Sequence, residues 1–141
     1  MIIKFRNGHK VKFKKFGKIW LADSVISEET ELYGSMDDLR VLKAIVAEWF
    51  DKNAPKEIAD KFTARLPLWK EIENLPFKDQ IAYRKGKTDQ IANYFLGDDY
   101  YDRPVSCSVG GSHDYFGTLY RNAYRDCHSA SAVRLCLEEK E

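Results

Sequence analysis

The residues best suited to chemistry in this 141-residue chain crowd toward its C-terminal end. Cys107 and Cys127 are near His113 and His128 in sequence, and a thiol beside an imidazole is how a nucleophile and its base are arranged. Cys127 and His128 are direct neighbours, however, and adjacent side chains on a strand point to opposite faces. The plainer reading is ordinary surface loop residues. Asp98, Asp99, Asp102, Asp114 and Asp126 supply carboxylates, yet no local motif gathers the roughly six to eight oxygens that calcium takes. Aspartates in such runs more often start turns. The three cysteines form no Cys-x-x-Cys pair, which argues against both a thiol metal site and a disulfide framework. Cys136, set among apolar residues, is expected in the core. The expectation is a non-enzymatic protein with no catalytic residue, no metal and no cofactor.

Recognition chemistry is better represented. Tyr94, Phe95, Tyr100, Tyr101, Tyr115, Phe116, Tyr120 and Tyr124 fall between positions 94 and 124, interleaved with arginines and aspartates. Tyr and Arg give contact area together with a directional polar end, so they are enriched at interface hot spots. Strand alternation would bury about half of the aromatics. The run 98–103 is too polar to be all core. The expected partner-binding surface is therefore Asp98, Asp99, Tyr100, Tyr101, Arg103, His113, Tyr115, Arg121, Tyr124 and Arg125, on loops spanning roughly 97–130, and the expected partner is a protein or protein complex.

A second surface comes from charge. Residues 1–20 carry seven basic side chains and no acid, which leaves 16 basic against 22 acidic in the remainder. Lys4, Arg6, Lys10, Lys12 and Lys14 alternate with apolar residues and would share one face, a candidate contact for the phosphates of nucleic acid. No aromatic shares that face to stack on bases, and lysines also protect edge strands from aggregation.

The elements that must position these residues follow from composition and periodicity. With 44% hydrophobic and 32% charged residues, the chain reads as one soluble domain over residues 1–141. No run approaches a membrane span, and the N-terminus lacks the apolar core of a signal peptide, so a cytoplasmic protein is expected. Its size suits a phage or mobile-element accessory protein, including an inhibitor of a host defence complex of the anti-CRISPR kind. The oligomeric state stays open.

Alternation over residues 3–6 and 10–14 around Asn7-Gly8 predicts a β-hairpin. A two-residue loop would mix its faces. A three-residue loop, Asn7-Gly8-His9, keeps them apart by setting Phe5 opposite Val11 and Ile3 opposite Phe13. Residues 19–22 form the next strand. Helical spacing of Leu39, Leu42, Val46, Trp49 and Phe50 predicts a helix over 36–51, capped by Ser35. Pro55 starts a short helix with Ile58 and Phe62 facing inward, closed by Leu66-Pro67. A further helix begins at Pro67 and ends at Pro76. Residues 78–93 are ambiguous, with a break at Lys85-Gly86-Lys87. Strands are predicted at 94–96, 105–109, 115–120 and 132–137, separated by Asp98-Asp99, Pro104, Gly110-Gly111 and Asn122. This order argues for an α+β fold with helices on one side of an antiparallel sheet.

Lys18-Ile19-Trp20-Leu21-Ala22, the helix bearing Trp49, Arg65-Leu66-Pro67-Leu68-Trp69-Lys70-Glu71-Ile72, Tyr94-Phe95 and Ala132-Val133-Arg134-Leu135-Cys136 follow one another in a characteristic order. In that order they resemble short bacterial domains of C-type-lectin-like fold, related to formylglycine-generating enzymes and to the "major paralogous" surface domains. The resemblance covers most of the chain. Leu68 stands where that family usually has a helix-capping Thr or Ser, and Phe95 where it often has Trp. The resemblance implies a compact domain: an N-terminal basic hairpin, central helices under the sheet, loop-rich antiparallel strands at the end, and the two termini paired as neighbouring strands. The copper-binding cysteine pair of formylglycine-generating enzymes would fall to Cys107 and Cys127, without the surrounding signature.

Overall fold

A computed structural model of the protein describes residues 1–26, 38–87, 89–100, 102–109, 119–123 and 131–141. In chain order the first elements are β1 (Ile2–Lys4), β2 (Lys10–Phe16), β3 (Ile19–Ala22), α1 (Leu39–Asn53), α2 (Lys56–Lys61), β4 (Phe62–Arg65) and α3 (Trp69–Ile72). There follow α4 (Phe77–Gln80), β5 (Ala82–Tyr83), β6 (Ile91–Tyr100), β7 (Arg103–Val109), β8 (Leu119–Ala123), β9 (Ser131–Ala132) and β10 (Cys136–Glu139). One antiparallel sheet runs β1-β2-β3-β10-β4, and a second runs β5-β6-β7-β8 with β9 parallel to β6. The class is α+β.

The hairpin keeps its faces apart, as alternation requires, but its pairing lies two residues from the expected one. Ile3 faces Val11 and Lys4 faces Lys10. The loop is Arg6-Asn7-Gly8: the Phe5 N–H donates to His9 O at 2.9 Å and the Gly8 N–H to Phe5 O at 2.9 Å. Gly8 takes the left-handed conformation, φ 87°, that closes such a three-residue turn. A slide by two residues preserves every side chain's face, so the pattern alone could not tell the two registers apart.

Helix α1 starts at Asp38, whose carboxylate accepts from the Arg40 and Val41 amides, 2.9 and 3.4 Å away. The expected cap, Ser35, lies outside the described residues. Leu39, Leu42, Val46 and Phe50 form the buried stripe of the helix and meet Ile3, Phe5, Val11 and Phe13 of the hairpin. Phe5 contacts Phe50 edge-on at 6.2 Å and Trp49 at 5.1 Å.

Several expectations fail for a shared reason: a tertiary partner outweighs a local pattern. Phe62 is buried as predicted, but it opens strand β4 opposite Glu139 and does not continue α2. Pro76 starts α4 after α3 has ended. Pro104 sits inside β7, where β6 bulges between Leu96 and Tyr100 and breaks the ladder that would need its missing N–H. Asn122 lies within β8, paired with Ser106. The closing stretch is not one strand. Residues 131–132 pair with β6, residues 136–139 pair with β3 and β4, and the chain crosses between the sheets at 133–135. The C-terminal strand therefore neighbours β3 and β4, and the N-terminal β1 lies beyond β2.

Candidate functional site

The two sheets meet where the chain leaves β3. Ser24 bridges to Tyr83 in parallel, the Val25 N–H donates to Tyr83 O, and the Tyr83 N–H donates to Asp23 O, both at 2.9 Å. On the other side the Asp23 N–H donates to Lys12 O at 2.9 Å. Residues 23–24 are thereby held between the basic hairpin and β5. Beyond β5 the chain turns at 84–87: the Lys87 N–H donates to Arg84 O, and Gly86 has φ 73° at the position where such a turn requires it.

A groove of about 470 Å³ runs between these walls. Asp23 and Ser24 form its floor, Lys10 and Lys12 stand on the hairpin side, and Tyr83, Arg84 and Lys87 stand on the other. Asp23 is the single acid of the lining, against four Lys or Arg side chains. His9 Nε2 lies 3.4 Å from Ser24 Oγ, at the outer limit of a hydrogen bond. With Ser24 buried, the contact pins the hairpin turn to the floor.

A smaller cavity of about 220 Å³ shares Lys12, Asp23 and Tyr83 with the groove. Phe16, Leu21 and Ile81 give it an apolar lining, and Lys14, Lys78, Asp79 and Arg134 supply charge. Lys14 Nζ and the Asp79 carboxylate pair across it at 3.3 Å. Arg134 is 2% exposed. Its Nε–H donates to Ala22 O, Nη1–H to Gln80 O (2.9 Å) and Tyr94 Oη (3.0 Å), and Nη2–H to Asp79 O (2.9 Å). The guanidinium lies 4.9 Å from the centre of the Tyr94 ring.

Of the basic residues singled out in the sequence, Lys4, Lys10, Lys12 and Lys14 are exposed on one hairpin face. Arg6 is exposed too, but its turn docks on the end of α1, where its amide donates to Asn53 O at 2.8 Å. It lines a separate depression with Asp51 and Lys56.

The other expected surface is only partly described. Asp98, Asp99, Tyr100 and Arg103 lie in strands, not in a loop: β6 extends to Tyr100, which pairs with Arg103 of β7. Asp98 accepts a hydrogen bond from the Trp69 amide at 2.8 Å. It supplies from β6 the cap that Leu68, lacking a polar side chain, cannot give α3. The Asp99 carboxylate accepts from the Asp102 amide at 2.8 Å, and Asp102 has φ 63° at the turn. Arg121 is in β8 opposite Cys107. Tyr101, His113, Tyr115, Tyr124 and Arg125 lie outside the described residues, as do Cys127, His128, Asp114 and Asp126. Cys136 is a core thiol, and burial pushes its pKa up to about 12, which keeps it protonated and unreactive. Among the described residues no cluster of three His, Cys, Asp or Glu is placed to hold a metal.

Sequence reasoning missed Lys78, Tyr83, Arg84, Lys87 and Arg134. Lys85-Gly86-Lys87 showed only as a break, because nothing local says that this turn faces the hairpin. Arg134 carried a signal: a lone cation among Val133, Leu135 and Leu137. The chain has no significant match to any family model, curated protein or solved structure.

Proposed function

We propose that this protein is a non-enzymatic binding module that holds the phosphate backbone of a single-stranded nucleic acid along the groove between the basic hairpin and the 84–87 turn. One observation carries the reading: Lys10 and Lys12 face Arg84 and Lys87 across a floor with one carboxylate. Opposed cations in a cleft focus a positive potential and release counterions when phosphates enter. Tyr83 adds an aromatic wall, which suits an unstacked base. With four cations engaged, affinity for a short oligonucleotide should fall with salt at a log–log slope of about −3. Lys12→Glu together with Lys87→Glu should cut both the affinity and the slope. Binding that ignores salt and both substitutions would sink the reading.

A second reading keeps a protein partner, such as a host defence complex inhibited by this chain, at the β6–β7 hairpin. It is supported by the bracing of that turn, where Asp99 and Asp102 set Tyr100 and Arg103 at adjacent strand ends. Alanine at Tyr100, Tyr101 and Arg103 together should abolish capture of such a partner with the melting temperature nearly unchanged. Unaltered capture removes this hairpin from consideration.

A further inference from the structure

We propose that the smaller cavity is a phosphomonoester site organised by Arg134, a subsite that takes a terminal phosphate where the groove takes internal ones. It deepens the groove reading, on which it depends only for the source of the phosphate. A guanidinium withdrawn from water normally has a carboxylate partner, because neutral oxygens satisfy its N–H groups without balancing its charge. Arg134 has hydrogen bonds to three carbonyls and a tyrosine hydroxyl, all neutral. These bonds lock its plane and account for four of its five N–H groups, leaving one on Nη2.

The cavity wall around it reinforces the charge. Lys12 and Lys78 are exposed cations of the lining, Lys14 is already paired with Asp79, and Asp23 is the remaining acid. A dianionic phosphate placed there would meet one fixed guanidinium donor and two mobile ammonium groups, the combination that favours phosphate over a monoanion. The apolar part of the lining, Phe16, Leu21 and Ile81, suits a small organic body attached to that phosphate. At about 220 Å³, under half the volume of the groove, the cavity takes a phosphate with a small organic body, so the ligand class is a monoester or a strand end, not a continuous backbone.

The test uses the Arg134 Nε–H resonance in NMR, visible because that proton is buried and bonded to Ala22 O. Inorganic phosphate is titrated first. Short oligonucleotides of one sequence follow, with a 5′-phosphate or a 5′-hydroxyl. Phosphate should shift the Arg134 signal saturably, and the 5′-phosphorylated strand should bind about tenfold tighter, the gain expected from one charge-assisted contact set. Lys78→Gln, at a residue that lines the smaller cavity and not the groove, should remove both effects. Arg134→Lys is a weaker test because it also removes structural hydrogen bonds. If phosphate leaves the Arg134 signal unmoved and both strands bind equally, the subsite is overturned while the groove stands. If phosphate shifts the signal but neither strand binds, the subsite stands with a free phosphomonoester as ligand, and the nucleic-acid reading fails. Silence in all arms overturns both.

Discussion

The surroundings of Arg65 and Arg134 differ in what balances a cation taken out of water. Arg65 is met by carboxylates: Glu71 grips it in a two-pronged pair with both distances 2.8 Å, and Glu138 bonds its Nε. The bond to Glu71 leads in raising the Arg65 pKa above its ordinary value, against the burial that lowers it. Burial opposes ionisation of Glu71, but Arg65 and the Leu68 amide outweigh it and hold that carboxyl below its usual range. This is a closed structural network tying α3 to β4 and β10. Arg134 is more buried, yet it is met only by neutral oxygens from Ala22, Asp79, Gln80 and Tyr94. It ties the end of β3, α4 and β6 together while its charge remains available to a cavity. The contrast separates a charge balanced by carboxylates from one left unbalanced beside a cavity.

Breaking Arg134 should have the largest effect. Arg134→Met strands several buried acceptors at the junction of the sheets and should cost about 3–5 kcal/mol in urea unfolding. A loss below about 1 kcal/mol would show that the junction does not depend on it. Arg65→Met should cost less, about 1–3 kcal/mol, because Glu71 and Glu138 can turn to water. Its pH signature is distinct. The stabilisation from Glu71 is present above the ordinary carboxylate pKa and is lost as pH falls through the lower folded value. The stability difference between wild type and Arg65→Met should therefore shrink in acid, and a difference constant down to pH 3 would contradict the network.

The fields of both arginines reach Cys136, where burial outweighs their pull and sets the thiol at about 12 against 9.0 unperturbed. Between those values the unfolded state binds fewer protons, so stability should decline as pH rises from 9 toward 12, by at most about 1.4 kcal/mol per pH unit. Cys136→Ala should flatten that part of the profile, and an unchanged slope would assign it to other groups. The smallest expected effect belongs to Asp98→Ala, about 1 kcal/mol for the lost bond to the Trp69 amide. An unchanged denaturation midpoint would return Asp98 to the set of purely surface candidates.

The parts of this architecture legible in the sequence are those where a period survives any partner. Alternation of Ile3, Phe5, Val11 and Phe13 with lysines determined the two faces of the hairpin, and the 3.6-residue spacing from Leu39 to Phe50 determined α1. Spacing misled at Phe62, since an apolar residue four positions after Ile58 suits a helix as well as the first position of a strand. It was silent on the groove. Lys12 and Lys87 are far apart in the chain, and the hydrogen bonds of Asp23, Val25 and Tyr83 hold their walls together.

By itself, then, the sequence determined an α+β class, a hairpin with one basic face, and a closing apolar segment holding Cys136, because each depends on side-chain type at fixed local intervals. The tertiary structure decided the hairpin register, the split of the closing segment, the bracing of Asp98 and Asp99, and the meeting of two basic walls beside the cavity that Arg134 lines. Those outcomes depend on backbone amides finding acceptors across long chain separations, and no local interval encodes that choice.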